Sequence, residues 1–209
     1  GKFKILHEIQ PIRIKYIEDV VNKKQINKMK ILDLGCGGGL ISEGLSKKGA
    51  KVTGIDFIKE NIRIAKIHAQ KSNLNIDYKT LDFENEKINS QFDIIVIFEV
   101  LEHLSNWESF IKKIKSNLKS NGILIISTIN KNLISKFLTI DLAENFLNWI
   151  PRNTHNYHKF IKPKELEFAL NQNNFKNISF KGLQYNLLKR KWVLSENTNV
   201  NYFCSCFLD

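Results

Sequence analysis

Cysteine, proline and long apolar runs are scarce in this 209-residue sequence. Three cysteines cannot cross-link a chain of this length into a disulfide scaffold, so we expect a hydrophobic core to stabilise the fold. We also expect the protein to reside in a reducing, cytoplasmic compartment. No apolar run approaches the roughly 18 residues that a membrane-spanning helix needs, and no signal-peptide pattern opens the chain. These absences exclude a small disulfide-rich protein and leave one domain, residues 1–209, as the expected organisation. Gly1 is not a natural start, so we expect a processed or trimmed fragment.

Acidic residues are outnumbered, with 32 Lys and Arg against 21 Asp and Glu and a net charge of +11. Such a balance favours an anionic partner, either nucleic acid or an acidic membrane surface. The lysines are spread along the chain beside abundant Ile and Asn, so compositional bias explains the charge equally well. The sequence contains no N/D-P-P-Y/W-type catalytic motif and no separate RNA-binding module, so nucleic acid is not the expected partner.

Glycine is concentrated in one stretch, Lys30–Asp56. There a short apolar run enters a glycine-dense turn, a helix-like segment follows, and a second apolar run ends on an acid, which predicts a βαβ unit. Gly35, Gly37 and Gly39 would let the backbone approach a small molecule closely, where a Cβ would collide. Asp56 lies 21 residues after Gly35, where a carboxylate can accept hydrogen bonds from ribose hydroxyls.

The spacing of these glycines departs from the dinucleotide-binding fingerprint G-x-G-x-x-G, because Leu40 stands at the last required glycine. The pattern found is Asp33-x-Gly35-x-Gly37-x-Gly39. It resembles the first motif of Rossmann-like, class I S-adenosylmethionine (SAM)-dependent methyltransferases, which implies SAM as the cofactor. The alternative is an ordinary tight turn between a strand and a helix.

Strand-like and helix-like segments alternate along most of the chain, which predicts an α/β fold with a doubly wound, mostly parallel sheet of seven strands. The clearest strand is Phe92–Phe98, because a continuous apolar run suits the centre of a parallel sheet. The predicted strands are Lys30–Leu34, Lys51–Asp56, Ile76–Thr80, Phe92–Phe98, Ile123–Thr128, Asn177–Gln184 and Asn201–Leu208. The predicted helices are an N-terminal helical segment in residues 1–27, Leu40–Lys48, Lys59–Ser72, Trp107–Leu118 and Pro163–Asn171. Cys204 and Cys206 alternate on the last strand and are expected to be core thiols.

Residues 130–162 interrupt this alternation after the fifth strand and are too long for a plain connection, so we predict an inserted helical lid. The segment mixes large apolar residues, such as Phe146 and Trp149, with lysines and an arginine. Such a composition suits contact with an anionic membrane surface. The alternative is an ordinary helical subdomain packed over the active site.

The whole chain resembles one specific family, the ubiquinone biosynthesis O-methyltransferases, which methylate a hydroxyl of a polyprenylated catechol-type ring. The matching motifs are Leu6-His7-x-x-x-Pro11-x-Arg13, Asp33-x-Gly35-Cys36-Gly37-Gly38-Gly39, Val52-Thr53-Gly54-x-Asp56, Glu99-x-Leu101-Glu102-His103, Ser127-Thr128-x-Asn130, Thr154-His155 with Lys159–Leu166, and Val200-Asn201-Tyr202. The resemblance implies a cofactor site at Arg13, Gly35, Asp56 and Phe98. Arg13 would then pair with the methionine carboxylate of SAM. Gln10 and Asn156 depart from the family pattern, which has asparagine and aspartate there.

Glu99, Glu102 and His103 follow the clearest strand directly, at the carboxyl edge where open α/β sheets bind ligands. Their i, i+3, i+4 spacing sets them on one face if the segment is helical. Two carboxylates and an imidazole suit Mg²⁺, with Mn²⁺ or Zn²⁺ also suited, and a metal there would grip both oxygens of a catechol. The alternative is that Glu102 and His103 merely shape the loop.

His155 in the lid is a candidate catalytic base or phenol-orienting group, against a structural hydrogen-bonding role. The expected function is SAM-dependent O-methylation of a polyprenyl phenol or catechol, by an enzyme bound peripherally to the inner face of the membrane. Other enzymes of ubiquinone biosynthesis are further candidate partners. Two alternatives remain open: a methyltransferase for another small molecule, and a non-catalytic lipid-binding relative.

Overall fold

A computed structural model describes residues 4–21, 26–136, 156–186 and 190–209. The helices are α1 (Lys4–Val21), α2 (Leu40–Lys47), α3 (Lys59–Lys71), α4 (Trp107–Lys115), α5 (Leu133–Lys136) and α6 (Pro163–Gln172). The strands are β1 (Lys30–Leu34), β2 (Lys51–Asp56), β3 (Asp77–Thr80), β4 (Phe92–Phe98), β5 (Leu118–Ile129), β6 (Phe175–Asn186), β7 (Lys191–Ser195) and β8 (Asn201–Leu208). Short 3₁₀ turns cover Leu101–His103 and Tyr157–Lys159.

The strands form one mixed sheet in the order β3-β2-β1-β4-β5-β8-β6-β7. The first five strands of this order run parallel, and β8 lies antiparallel between β5 and β6. The chain runs from β1 outward to β2 and β3 on one side, and then returns to form β4 on the other side of β1. The strand order therefore reverses between β1 and β4, and a crevice for a ligand opens at the carboxyl ends of these two strands. The predicted doubly wound α/β class is confirmed.

The structure corrects the predicted number of strands: the described residues form eight strands, whereas the sequence predicted seven. The additional strand is β7, a five-residue edge strand that pairs antiparallel with β6. Its side chains are half-buried, so the run lacks the strong apolar pattern of the central strands. β5 also begins earlier than expected, at Leu118, because that residue pairs with Phe92 instead of ending the preceding helix.

The two faces of the sheet carry separate parts of the core, as the alternation of side chains along β4 shows. Ile94 and Val96 pack toward α1 and α2, whereas Ile95 and Ile97 pack toward α4 and α6. All four side chains are fully buried, and burying each is worth roughly 1.5–3 kcal/mol. β4 is therefore the rigid centre from which the site residues that follow it are projected.

Helix α1 crosses the first face of the sheet and is tied to α2. The Gln10 side chain donates a hydrogen bond to the Leu40 carbonyl at 3.2 Å, so this departure from the family pattern has a structural use. Gly44 leaves room for Ile14, whose Cδ1 lies 2.7 Å from the point a Cβ would occupy. This close packing fixes the height of α1 over the sheet and sets Arg13 at its carboxyl edge.

Cys204 and Cys206 are buried free thiols of β8, which confirms that they belong to the core. None of the described helices combines the length and apolar character that crossing a bilayer would require. Of the predicted lid, residues 137–155 lie outside the described residues. The two described ends meet, since Ile161 N–H donates to the Ile129 carbonyl at 3.1 Å and Lys131 Nζ donates to the His158 carbonyl at 2.8 Å.

Candidate cofactor site

The glycine turn between β1 and α2 needs glycine for two separate reasons. Gly35, Gly37 and Gly39 all have positive φ, at 75°, 52° and 87°, a region that side chains with a Cβ rarely adopt. A Cβ at Gly35 or Gly39 would also strike Val100 or Tyr78, within 2.3 Å. A Cβ at Gly37 would meet nothing within 4 Å. The turn is therefore closed behind by protein side chains and open at Gly37.

Asp56 at the end of β2 holds this turn in place. Its carboxylate accepts hydrogen bonds from Gly37 N–H at 2.9 Å, Ile58 N–H at 2.8 Å and Asn61 Nδ2 at 3.2 Å. A carboxylate offers about four acceptor positions, so three are already used by the protein. Asp56 therefore joins β2, α3 and the glycine turn, and retains limited capacity for a ligand hydroxyl.

Asp33 lies beneath the turn and is almost fully buried. It accepts a 2.6 Å hydrogen bond from Ser42 Oγ on α2. Burial raises the pKa of this carboxyl from 3.8 to about 6, despite the opposing effect of the Ser42 hydrogen bond. Asp33 thus links β1 to the first turn of α2 and supports the glycine turn from inside.

Arg13 reaches the carboxyl edge of β4 from α1 and is 7% exposed. Its Nη2 pairs with Glu99 Oε1 at 3.1 Å, and its guanidinium lies 5.2 Å from the centre of the Phe98 ring. Its Nε is buried without a hydrogen-bond acceptor among the described residues. Because an arginine has five donors, this arrangement leaves donors for a further anion such as a carboxylate.

Glu99 itself has an unusual backbone, with φ of 53°, which is uncommon for a residue with a side chain and often marks functional positions. Its N–H donates to the Ser127 carbonyl at 3.0 Å. Its carboxylate accepts from Ser127 Oγ at 2.7 Å and from Asn201 Nδ2 at 3.4 Å. Residues from β5 and β8 therefore direct the Glu99 side chain toward Arg13.

Glu102 points into the protein, where it is 3% exposed and accepts a hydrogen bond from Thr128 Oγ1 at 2.9 Å. Burial, followed by the nearby charge of Glu99, raises the pKa of the Glu102 carboxyl well above its usual range. His103, the next residue, is exposed. The two carboxylates of the predicted metal set therefore lie near each other, whereas His103 lies at the surface.

The structure therefore corrects the prediction of a metal site formed by these three residues. No group of three or more His, Cys, Asp or Glu residues in the described chain is arranged to hold a metal ion. The physical reason is that the expected α-helical spacing is not formed: the left-handed residue Glu99 is followed by a 3₁₀ turn, Leu101–His103. As found, Glu99 is neutralised by Arg13 and Glu102 is buried, so these residues do not fit a preformed site.

The catalytic candidate His155 lies outside the described residues, so its role stays a prediction. The neighbouring Asn156 is described, and its Oδ1 accepts a 3.0 Å hydrogen bond from His158 N–H. This substitution for the family's usual aspartate therefore caps the 3₁₀ turn Tyr157–Lys159.

Sequence reasoning assigned no role in the site to three polar residues: Ser127 and Asn201, which lie in motifs of the family resemblance, and Asn61. Ser127 and Asn201 bind Glu99, and Asn61 binds Asp56. A signal existed for Ser127, because it ends the apolar run of β5 and is 2% exposed. A hydroxyl buried at the carboxyl end of a central strand usually has a specific hydrogen-bond partner.

Comparison with known proteins gives concordant results. Residues 7–180 match the family model described as a methyltransferase domain. The ubiquinone biosynthesis O-methyltransferase of Pelagibacter ubique is 43% identical over 210 residues, covering 97% of this chain and 88% of the relative. The protein of the same name from Rickettsia prowazekii is 43% identical over 205 residues, covering 97% of this chain and 81% of the relative.

Solved structures agree on the fold. The magnesium protoporphyrin IX methyltransferase of Synechocystis, crystallised with bound SAH (S-adenosylhomocysteine), superposes with a TM-score of 0.73 at 18% identity, covering 100% of this chain and 86% of that one. A SAM-dependent methyltransferase from Methanosarcina mazei gives a TM-score of 0.66 at 22% identity, covering 90% and 96%. The class I methyltransferase fold expected from the sequence is confirmed, and the chain belongs to the family of ubiquinone biosynthesis O-methyltransferases.

Proposed function

We propose that this protein catalyses SAM-dependent O-methylation of a hydroxyl on a polyprenylated catechol-type ring in ubiquinone biosynthesis. The observation that carries the proposal is the glycine turn, open at Gly37 and tied to Asp56 at the switch point of the sheet. Relatives that match nearly the whole chain bear the name ubiquinone biosynthesis O-methyltransferase. We further propose that residues 1–209 form one methyltransferase domain.

The described residues fit SAM. In this proposal Asp56 accepts from a ribose hydroxyl with its remaining acceptor capacity, and the open space at Gly37 admits the cofactor next to the backbone. Arg13, whose buried Nε lacks an acceptor among the described residues, binds the methionine carboxylate. Phe98 supports the arginine from below. When bound, SAM supplies a methyl group activated by its sulfonium charge.

The chain's own contribution is then mainly positioning. Holding the substrate oxygen close to the methyl group and in line with it converts an encounter between two molecules into a local step. His155 keeps its predicted role as the base or the phenol-orienting group at the ring hydroxyl. We assign no step to a metal, because Glu99, Glu102 and His103 do not fit a preformed metal site.

We also propose that residues 130–162 contact the inner face of the membrane and cover the active site. The described start of this segment supports the idea, since Leu133 and Ile134 are 76% and 53% exposed. Exposed leucine and isoleucine beside Lys131 and Lys136 can enter the interface while the ammonium groups meet anionic headgroups. A substrate with a polyprenyl tail would then reach the cofactor without leaving the bilayer completely.

Mass spectrometry with methyl-labelled SAM and a soluble polyprenyl-catechol analogue tests the proposal. We expect a product one labelled methyl group heavier, and little product from Asp56→Ala. Asp77→Ala, at an exposed acid that opens β3, is the matched control and should retain activity. Methylation of unrelated phenols but not the analogue would indicate another small-molecule methyltransferase. Binding of both ligands without product would indicate a non-catalytic relative.

A further inference from the structure

Four elements meet in one hydrogen-bonded chain at the carboxyl edge of the sheet. Arg13 comes from α1, Glu99 directly follows β4, Ser127 lies near the carboxyl end of β5, and Asn201 begins β8. Glu99 Oε1 receives both Arg13 Nη2 at 3.1 Å and Ser127 Oγ at 2.7 Å, while Oε2 faces Asn201 Nδ2 at 3.4 Å. Glu99 is therefore the centre of this hydrogen-bonded chain, and Arg13 is the member whose charge acts on Asp33 beneath the glycine turn.

Glu99 is held more firmly than a surface ion pair requires. Its φ of 53° is an uncommon conformation for glutamate, and such a strained conformation persists only where the surrounding structure imposes it. Both its backbone N–H and its side chain are bonded to Ser127. A residue fixed at both main chain and side chain, and strained, is suited to placing its partner precisely.

The partner that it places is Arg13, which is itself almost fully buried. A long arginine side chain loses rotamer freedom when it is fixed, and a buried guanidinium needs an anion nearby. Glu99 on one edge and the Phe98 ring on one face meet both needs, and leave Nε without an acceptor in the described structure. The guanidinium is thus preorganised before any ligand arrives.

We propose that Glu99 is a positioning residue for the cofactor: supported by Ser127 and Asn201, it holds the Arg13 guanidinium where it receives the methionine carboxylate of SAM. This inference rests on the proposed function. It replaces the metal-ligand role that the sequence suggested for Glu99. It also gives the antiparallel strand β8, through Asn201, a part in cofactor recognition.

A positioning role for Glu99 predicts different effects on two kinds of ligand, whereas a general structural role predicts the same effect on both. Only ligands that carry the methionine carboxylate should depend on Glu99. SAH carries this group, whereas 5′-methylthioadenosine contains the adenosine and sulfur but lacks the amino-acid part. The ratio of their affinities therefore reports the Arg13 interaction separately from the rest of the site.

Isothermal titration calorimetry of the full chain with SAH and with 5′-methylthioadenosine is the test. We expect Glu99→Gln to weaken SAH binding roughly tenfold or more, equivalent to about 1.4 kcal/mol, because a displaced guanidinium loses a charge-assisted hydrogen bond to the carboxylate. The affinity for 5′-methylthioadenosine, which has no carboxylate, should stay within about twofold of the wild-type value. Ser127→Ala, which removes only one support, should change the same ratio in the same direction by less. Glu108→Gln, on the exposed side of α4, is the matched control.

Each outcome of the titrations either supports or overturns a proposal. Selective loss of SAH affinity in Glu99→Gln or, should that variant not fold by circular dichroism, in Ser127→Ala supports the positioning role. Equal weakening of both ligands, unchanged SAH affinity or tighter SAH binding in the folded variants overturns it. Failure of the wild-type chain to bind SAH overturns the proposed function instead.

Discussion

Asp33 gives the sharpest stability prediction, because its carboxyl is buried beneath the glycine turn with Ser42 as its hydrogen-bond donor. Its pKa is raised from 3.8 to about 6, mainly by burial. A raised acid pKa means that the folded state binds a proton more tightly than the unfolded state does. The contribution of protonated Asp33 to the free energy of unfolding is fully present below about pH 3.8 and is lost as the pH rises through about pH 6.

The size of this loss follows from the shift. A pKa difference between 3.8 and about 6 corresponds, at 1.36 kcal/mol per unit, to about 3 kcal/mol. Asp33→Asn removes the titration while its side-chain carbonyl can still accept from Ser42. Part of this loss has already occurred at pH 4, so the free energy of unfolding of the wild type minus that of Asp33→Asn should fall by about 2.4 kcal/mol between pH 4 and pH 7.

Urea unfolding of both proteins at pH 4, 5, 6 and 7, followed by circular dichroism, measures this difference directly. Taking the difference cancels the titration of other groups, Glu102 included, wherever the two proteins share them. Asp77→Asn is the control, since Asp77 is exposed and forms a surface ion pair with Lys79. A wild-type-minus-Asp33→Asn difference that is constant across this pH range, or that grows with pH, would refute the reasoning.

Three further outcomes are expected. Gly39→Ala should lower the free energy of unfolding by about 1–3 kcal/mol, because the φ of Gly39 is 87° and the new Cβ would clash with Tyr78. Gly38→Ala is the control and should change this free energy little, because the nearest atom to its new Cβ lies at 3.8 Å. Thermal denaturation of both variants makes the comparison. Asp56→Ala should lose roughly 1–3 kcal/mol of SAM affinity by calorimetry. Co-sedimentation with anionic vesicles should weaken with salt and drop when Phe146 and Trp149 become serine.

The contrary results are equally definite. Equal stability of the two alanine variants would mean that the turn tolerates a side chain at Gly39. Unchanged SAM affinity in Asp56→Ala would remove the ribose assignment. A wild-type chain that ignores anionic vesicles at low salt would reduce residues 130–162 to an ordinary cover over the site.

The sequence predicted β1, β2 and β4 with their observed bounds, because each is an apolar run ending at a glycine turn or at an acid on the ligand-binding edge. It missed β7, since a five-residue edge strand gains its place from pairing with β6 and not from its own pattern. Asp56 and Gly37 could be proposed as candidate cofactor residues because their spacing is local to one βαβ unit.

The arrangement around Glu99 could not be predicted in the same way. The spacing argument assumed an α-helix after β4, whereas the backbone makes a left-handed turn at Glu99 and then one 3₁₀ turn. The partners that impose this conformation, Ser127 and Asn201, lie 28 and 102 residues away in the sequence. Contacts over such separations leave no periodic signal.

The position of β8 also bears on how the chain acquires its structure during synthesis. β8 is translated after β5, β6 and β7, yet it lies between β5 and β6 and pairs with both. Until residues 201–208 have left the ribosome, β5 presents an unpaired edge and the sheet is divided into two parts. Unpaired edges are sites of aggregation, and pairings over long sequence separations form slowly. The nascent chain therefore passes through an interval in which most of its sheet is made but not yet joined, and a chaperone that shields the β5 edge would be most useful then.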